Sequence, residues 1–163
     1  MTASLRLHPA AVQELIEHIR QYGQQDVETG GLLITRPRDP EVVVLALAGE
    51  KGIRREEGLF VITMPALDEI FSYAEDNDLQ VRAMIHSHKR RAFMSVTDRT
   101  AGLNIRGFLS AIIPTYDHPP PDPNRWGWWR HEGDWHPTAP AVVDFSLPLP
   151  QIVIFDAGGV RDH

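Results

Sequence analysis

The residues best suited to chemistry in this chain lie between positions 86 and 98, in HSHKRRAFMSVTD. His86 and His88 end the apolar run VRAMI. Residues two apart on a strand project to the same side, so the two imidazoles point one way and Ser87 the other. Two converging neutral imidazoles suit a shared cation, zinc above all among the common metals. A catalytic zinc with one open position needs a third protein ligand. Asp98 is the candidate, because one turn of a helix starting near Ser95 returns it over the strand end. Ser95-x-x-Asp98 is also the pattern of a capping box, so Ser95 has a reason to start that helix whatever else it does.

The surrounding sequence predicts the elements that must hold these groups. His8-Pro9 opens an amphipathic helix with Ala11, Val12, Leu15, Ile16 and Ile19 on one face, stopped by Gly23. Strands are expected at GGLLIT from Gly30, EVVVLALAG from Glu41 and LFVI from Leu59, with a turn at Pro37, Asp39 and Pro40. MPALDEIFSYAED reads as a second helix, with Met64, Leu67, Ile70, Phe71 and Ala74 facing inward. VRAMIHSH is the next strand, SVTDRTAGLNIRG a third helix running to Gly107, and FLSAIIP a buried strand. TYDHPPPDPNR is a proline-rich loop, and WGWWRHEGDWHP a hairpin turning at Glu132-Gly133-Asp134. The remaining tail carries one strand, QIVIF, expected either to join the sheet or to serve as a partner-binding extension, and DAGG reads as a simple turn. The basic pairs and triplets Arg54-Arg55 and Lys89-Arg90-Arg91 read as solvated loops. Helices and strands alternating around one core give an α/β or α+β class.

Composition removes several alternatives. At 163 residues the chain suits one domain with a substantial core. It has no cysteine, which excludes disulfides, thiolate metal sites and cysteine nucleophiles. The absence of cysteine also excludes a zinc nucleobase deaminase, whose site requires it. A net charge of -6 argues against nucleic acid as a partner. The start of the chain lacks the pattern of a signal peptide, and no apolar run approaches a membrane span. The expectation is a soluble, cytoplasmic protein that binds neither membrane nor nucleic acid. HEGDWH imitates a helical zinc motif, but its spacing is one residue too long and Gly133 and Pro137 would spoil the helix.

Taken together, His86-Ser87-His88 and Ser95-x-x-Asp98 resemble the JAMM motif of the MPN-domain zinc metalloproteases, in particular their prokaryotic JAB branch. That motif includes an upstream glutamate in the form E-x-x-G-x-L, matched here by Glu28-Thr29-Gly30-Gly31-Leu32-Leu33. The family usually places seven residues between the second histidine and the serine; here Lys89 to Met94 makes six, and Lys89 stands where most members have proline. The resemblance covers roughly residues 5–137 and implies a metalloprotease domain over 1–137, with 138–163 as a C-terminal extension. It implies a cytidine-deaminase-like mixed sheet flanked by helices. It also implies Zn²⁺ held by His86, His88 and Asp98, with Glu28 as general base and Ser95 as oxyanion donor. The implied substrate is a bond after the C-terminal glycine of ubiquitin or a ubiquitin-like protein. The implied setting is bacterial: a conjugation, phage-defence or sulfur-carrier pathway, with E1- or E2-like proteins as further partners. The alternative is an MPN-type scaffold that binds a partner without cutting it.

Overall fold

The computed structural model describes residues 4–101 and 103–163. Its central strand is β2 (Gly30–Thr35), buried at all six positions. A strand buried at every position must be covered on both faces, and two helices do this. α1 (Pro9–Gly23) begins with His8 accepting the Ala10 N–H through Nδ1, with Pro9 in its first turn. Its Leu15 and Ile19 pack on Leu33, Leu45, Leu47, Ala83 and Ile85 from one face of the sheet. α2 (Met64–Asp76) covers the other face, where Ile70 and Ala74 meet Leu32, Ile34, Ala46 and Phe155. Fully burying one such aliphatic side chain contributes roughly 1.5–3 kcal/mol, so the alternation of inward residues along each strand fixes which helix each strand face meets.

Around β2 lie β3 (Val42–Ala48), β6 (Gln80–Ser87), β7 (Leu109–Ile113), β8 (Gly127–His131), β9 (Trp135–Pro137), β11 (Gln151–Asp156) and β12 (Gly159–Asp162). They form one mixed sheet in the order β12-β11-β3-β2-β6-β7-β8-β9. β2 is antiparallel to both its neighbours, whereas β6–β7 and β3–β11 are parallel pairs. Parallel neighbours cannot be joined by a tight turn. The chain leaving β6 must therefore cross back before β7 begins, and this crossover carries α3 (Val96–Ala101) past the carboxyl end of β6. Outside the large sheet, β1 (Arg6–Leu7) pairs with β10 (Val142–Val143), and β4 (Ile53–Glu56) forms a hairpin with β5 (Leu59–Ile62). Among the described residues, no helix is long and apolar enough to cross a membrane.

Three expectations need correction. α3 ends at Ala101 instead of running to Gly107; a glycine at 102 and the β-branched Ile105 are weak helix formers, and residues 106–107 form a turn. Met64 is 67% exposed, because it lies at the start of α2; Ala66, Ile70 and Ala74 form the buried stripe. Arg54-Arg55 is a strand of the β4–β5 hairpin, and the Arg55 side chain is only 7% exposed. The tail does supply its expected strand, β11, and the DAGG turn leads into β12.

Gly30 shows how tightly β2 and β6 approach. A Cβ at this position would collide with the Ile85 carbonyl oxygen on β6. Gly30→Ala is expected to destabilise the fold by about 2–3 kcal/mol, an overpacking cost, read as a lowered urea midpoint with an unchanged slope.

Candidate metal centre

His86 is the penultimate residue of β6 and His88 follows it by two residues, so both rings leave the sheet on its α2 face. Their centroids are 5.1 Å apart. Asp98, in the first turn of α3, brings its carboxylate between them: Oδ1 lies 3.0 Å from His86 Nε2 and Oδ2 lies 3.1 Å from His88 Nε2. The helix start that delivers Asp98 is a reciprocal cap. Ser95 Oγ accepts the Asp98 N–H at 3.0 Å, and Asp98 Oδ2 accepts the Ser95 N–H at 3.0 Å. The six-residue connection from Lys89 to Met94 thus spans from His88 to Ser95 with both ends in place. Glu28, in the segment just before β2, also reaches the pair. One ligand atom each from Glu28, His86 and His88 lies within 4.8 Å of the other two. Both carboxylates therefore face the imidazoles, with Asp98 in hydrogen-bonding contact.

The donor set fits a cation. His88 Nδ1 lies 3.2 Å from the Arg91 carbonyl, an acceptor only, so Nδ1 carries the proton. In a neutral ring Nε2 is then a lone pair, and it faces a carboxylate oxygen that is also a lone pair. Only a shared cation, a proton or a metal ion, makes that contact favourable. Without a metal, a proton fills the role. Burial by itself would lower the His88 pKa, but the Asp98 hydrogen bond and the charges of Glu28 and Asp98 outweigh it and raise it. Burial would likewise raise Asp98, but hydrogen bonds from His86 and His88 hold it well below the ordinary range. His86 stacks on Phe60 with ring centroids 6.2 Å apart. Its Nδ1 is buried without a partner among the described residues, so packing sets the orientation of this ring.

Glu28 is in the opposite electrostatic state. Burial pushes its pKa up to about 8; the His88 charge opposes this and the Asp98 charge adds to it. Two carboxylates near one imidazole pair are thereby driven apart, Asp98 toward permanent ionisation and Glu28 toward titration near neutral pH.

Residues that carried no chemical signal in the sequence hold Glu28 in place. Ser87 Oγ accepts the Thr29 N–H at 3.0 Å and donates to the Thr29 carbonyl at 3.2 Å, while the Ser87 N–H donates to the same carbonyl at 2.9 Å. The Thr29 hydroxyl accepts from Arg55 Nε at 3.0 Å and lies 3.0 Å from His18 Nε2 on α1. Burial, then the Arg55 charge, lowers His18 to about 3, so its ring is neutral at pH 7 and free to accept the Thr29 proton. Arg55 lies 3.9 Å above the Tyr22 ring and donates to the Ala48 carbonyl at 2.7 Å. Glu28 itself is tied to the β4–β5 hairpin by its N–H, which donates to the Glu56 carbonyl at 3.1 Å. Sequence reading marks Ser87 only as pointing away from the histidines, and Thr29 and His18 not at all, because every partner is remote in the chain.

No family model matches the chain. It is similar to "Probable metalloprotease y4jG" of Sinorhizobium fredii, at 31% identity over 110 residues that cover 64% of this chain and 67% of that protein. The chain belongs to this metalloprotease-type family. Among solved structures, this metalloprotease relative shares its fold with protein DSY2949 of Desulfitobacterium hafniense. The TM-score is 0.63 at 16% identity, covering 88% of this chain and 94% of the other. A Salinibacter ruber protein aligns with a TM-score of 0.57 at 20% identity, covering 90% and 95%. The Glu28, His86 and His88 cluster agrees with a metal-dependent family.

Two measurements check this geometry. Ser87→Ala strands the buried Thr29 N–H and is expected to cost about 1–3 kcal/mol, read by urea denaturation. In protein stripped of metal, Glu28 binds its proton up to about pH 8 when folded but releases it near its ordinary 4.5 when unfolded. Its contribution to stability is therefore full below pH 4.5 and lost as pH rises toward 8. Stability compared at pH 5 and pH 8 should fall more steeply in the wild type than in Glu28→Gln, by at most roughly 1.4 kcal/mol per pH unit.

Proposed function

We propose that this metalloprotease relative is a JAMM-type zinc peptidase. It hydrolyses the peptide or isopeptide bond after the C-terminal glycine of a ubiquitin-like protein. The observation that carries this reading is the meeting of Glu28 with the His86–Asp98–His88 group, where one carboxylate is ionised and the other titrates near neutrality. His86, His88 and Asp98 would hold the metal, since two imidazoles and a carboxylate are an ordinary zinc donor set. Zinc, when bound, supplies Lewis acidity that brings the pKa of water down to roughly 7 and polarises a carbonyl.

The chain's own residues then have distinct tasks. Glu28, which faces the histidine pair, is placed to take a proton from attacking water and return it to the leaving amine. Ser95 accepts the Asp98 N–H through its oxygen, which leaves its O–H to donate to the oxyanion of the tetrahedral intermediate. Both residues line a cleft of about 410 Å³, together with Glu57, Gly58, His88, Phe93 and the basic triplet Lys89, Arg90 and Arg91. Glycines at the end of an extended tail bring no side chains to such a cleft, and pairing of their backbone with a strand is the fitting mode of recognition. Lys89 is held by Glu57 at 2.6 Å, while Arg90 and Arg91, without an ion pair among the described residues, can meet an acidic partner surface.

The test begins with elemental analysis of the purified chain. About one zinc per chain is expected, lost in His88→Ala and Asp98→Ala. Glu28→Gln should keep the zinc and cut hydrolysis of a ubiquitin-like fusion about 100- to 10,000-fold. Absence of zinc even after its addition, or undiminished cleavage by Glu28→Gln, would sink the reading.

A further inference from the structure

A second cleft, of about 490 Å³, opens at the other end of β6. The walls come from Arg38 and Pro40, the start of β6 at Gln80 to Arg82, residues 105–108 and Arg130 of β8. Gln80 is six residues from His86 along the strand, so this cleft lies ~20 Å from the metal centre. Four of its lining residues are arginines, Arg38, Arg82, Arg106 and Arg130, and none is acidic. Collecting four of 16 basic residues in one hollow of a chain with net charge -6 is a local reversal of charge.

The arginines have few internal partners. Arg106 is the one with a carboxylate within 4.0 Å among the described residues, Glu132 at 3.4 Å. Among the described residues, the Arg82 side chain reaches only the Asp39 carbonyl at 3.4 Å and Thr35 Oγ1 at 3.5 Å, and the Arg130 side chain only the Gly107 carbonyl at 3.5 Å. Burial first, and then the charge of Arg130, work against the charge of Arg82. Two half-buried guanidiniums thus face one hollow with long, weak contacts to neutral oxygens, a costly arrangement that an anion would relieve.

Arg38 adds an independent sign. It follows Pro37 in a turn closed by the Asp39 N–H donating to the Arg36 carbonyl at 3.1 Å, and its φ is 62°. Glycine is the relaxed residue at such a position, and a long side chain there costs about 1–2 kcal/mol. Arg38 nonetheless lines the cleft in this conformation. Apart from Gln80, the remaining wall is apolar, with Pro40, Val81, Ile105 and Phe108.

We infer that this cleft is a binding site for an organic phosphate, a ligand with two or more phosphate charges joined to an apolar or planar group. Planar guanidiniums match phosphate oxygens two at a time, and the apolar wall takes the organic part. The volume is that of a small-molecule pocket, which favours this ligand over an acidic protein surface. The site stands apart from the proposed zinc chemistry and does not depend on it.

Calorimetric titration of the full chain with ATP, pyrophosphate and hexaglutamate, at constant ionic strength and with magnesium in excess, tests the assignment. Saturable one-to-one binding of ATP is expected, weaker for pyrophosphate. Arg130→Met and Arg38→Gly should each weaken ATP binding at least about tenfold. Arg38→Gly relaxes its turn, so its melting temperature should hold or rise, which separates lost binding from lost folding. The inference is overturned if ATP does not bind saturably, if pyrophosphate binds as tightly as ATP, if both variants bind ATP like the wild type, or if hexaglutamate alone binds.

Discussion

Three hydrogen bonds between Thr29 and Ser87 join segments 58 residues apart, and the candidate centre depends on them. Ser87 points to the α1 face because His86 and His88 point to the other, so one strand end serves two purposes. It offers two imidazoles on one side and a hydroxyl on the other that fixes the backbone next to Glu28. Thr29 passes this restraint on to α1 through His18 and to the β4–β5 hairpin through Arg55. A buried network of this kind is worth having only when every member is satisfied, and the Thr29 hydroxyl, N–H and carbonyl all have partners.

The electrostatics of the centre follow from the same arrangement. Both carboxylates are taken largely out of water, which by itself favours the protonated acid. Asp98 escapes that effect because two imidazoles and the Ser95 N–H converge on it. Glu28 has no comparable set of donors, and burial governs its pKa. Different roles for two acids of the same chemistry thus arise from a difference in hydrogen-bond supply.

Strand connectivity places the centre at the carboxyl end of β6. Since β6 and β7 are parallel neighbours, the crossover between them has to pass over that end, and α3 is the part of it that turns back. Its six residues make too short a helix to stand alone. The mutual cap of Ser95 and Asp98 and the contacts of Asp98 with both histidines tie it to the sheet. The six-residue link after His88 is accommodated because its ends are fixed by β6 on one side and by this cap on the other.

Much of this was legible beforehand. Apolar periodicity located α1, α2, β2, β3, β5, β6, β7, β11 and the β8–β9 hairpin, and the spacing of His86, His88, Ser95 and Asp98 pointed to one locus. These are local patterns, set by side-chain alternation and by a helix turn, and a sequence displays them directly. Hidden from it were β4 and β12, whose IRRE and GVRD become strands only by pairing with neighbours, and the burial of Arg55. Equally hidden were the parallel alignment of β11 with β3, the lock of Ser87 on Thr29, and the gathering of Arg38, Arg82, Arg106 and Arg130 in one cleft. The sequence by itself determined which residues could bind a cation and which faces had to be buried. Only the tertiary structure decided which carboxylate stays ionised and where the four arginines meet, because both depend on burial and on partners far away in the chain.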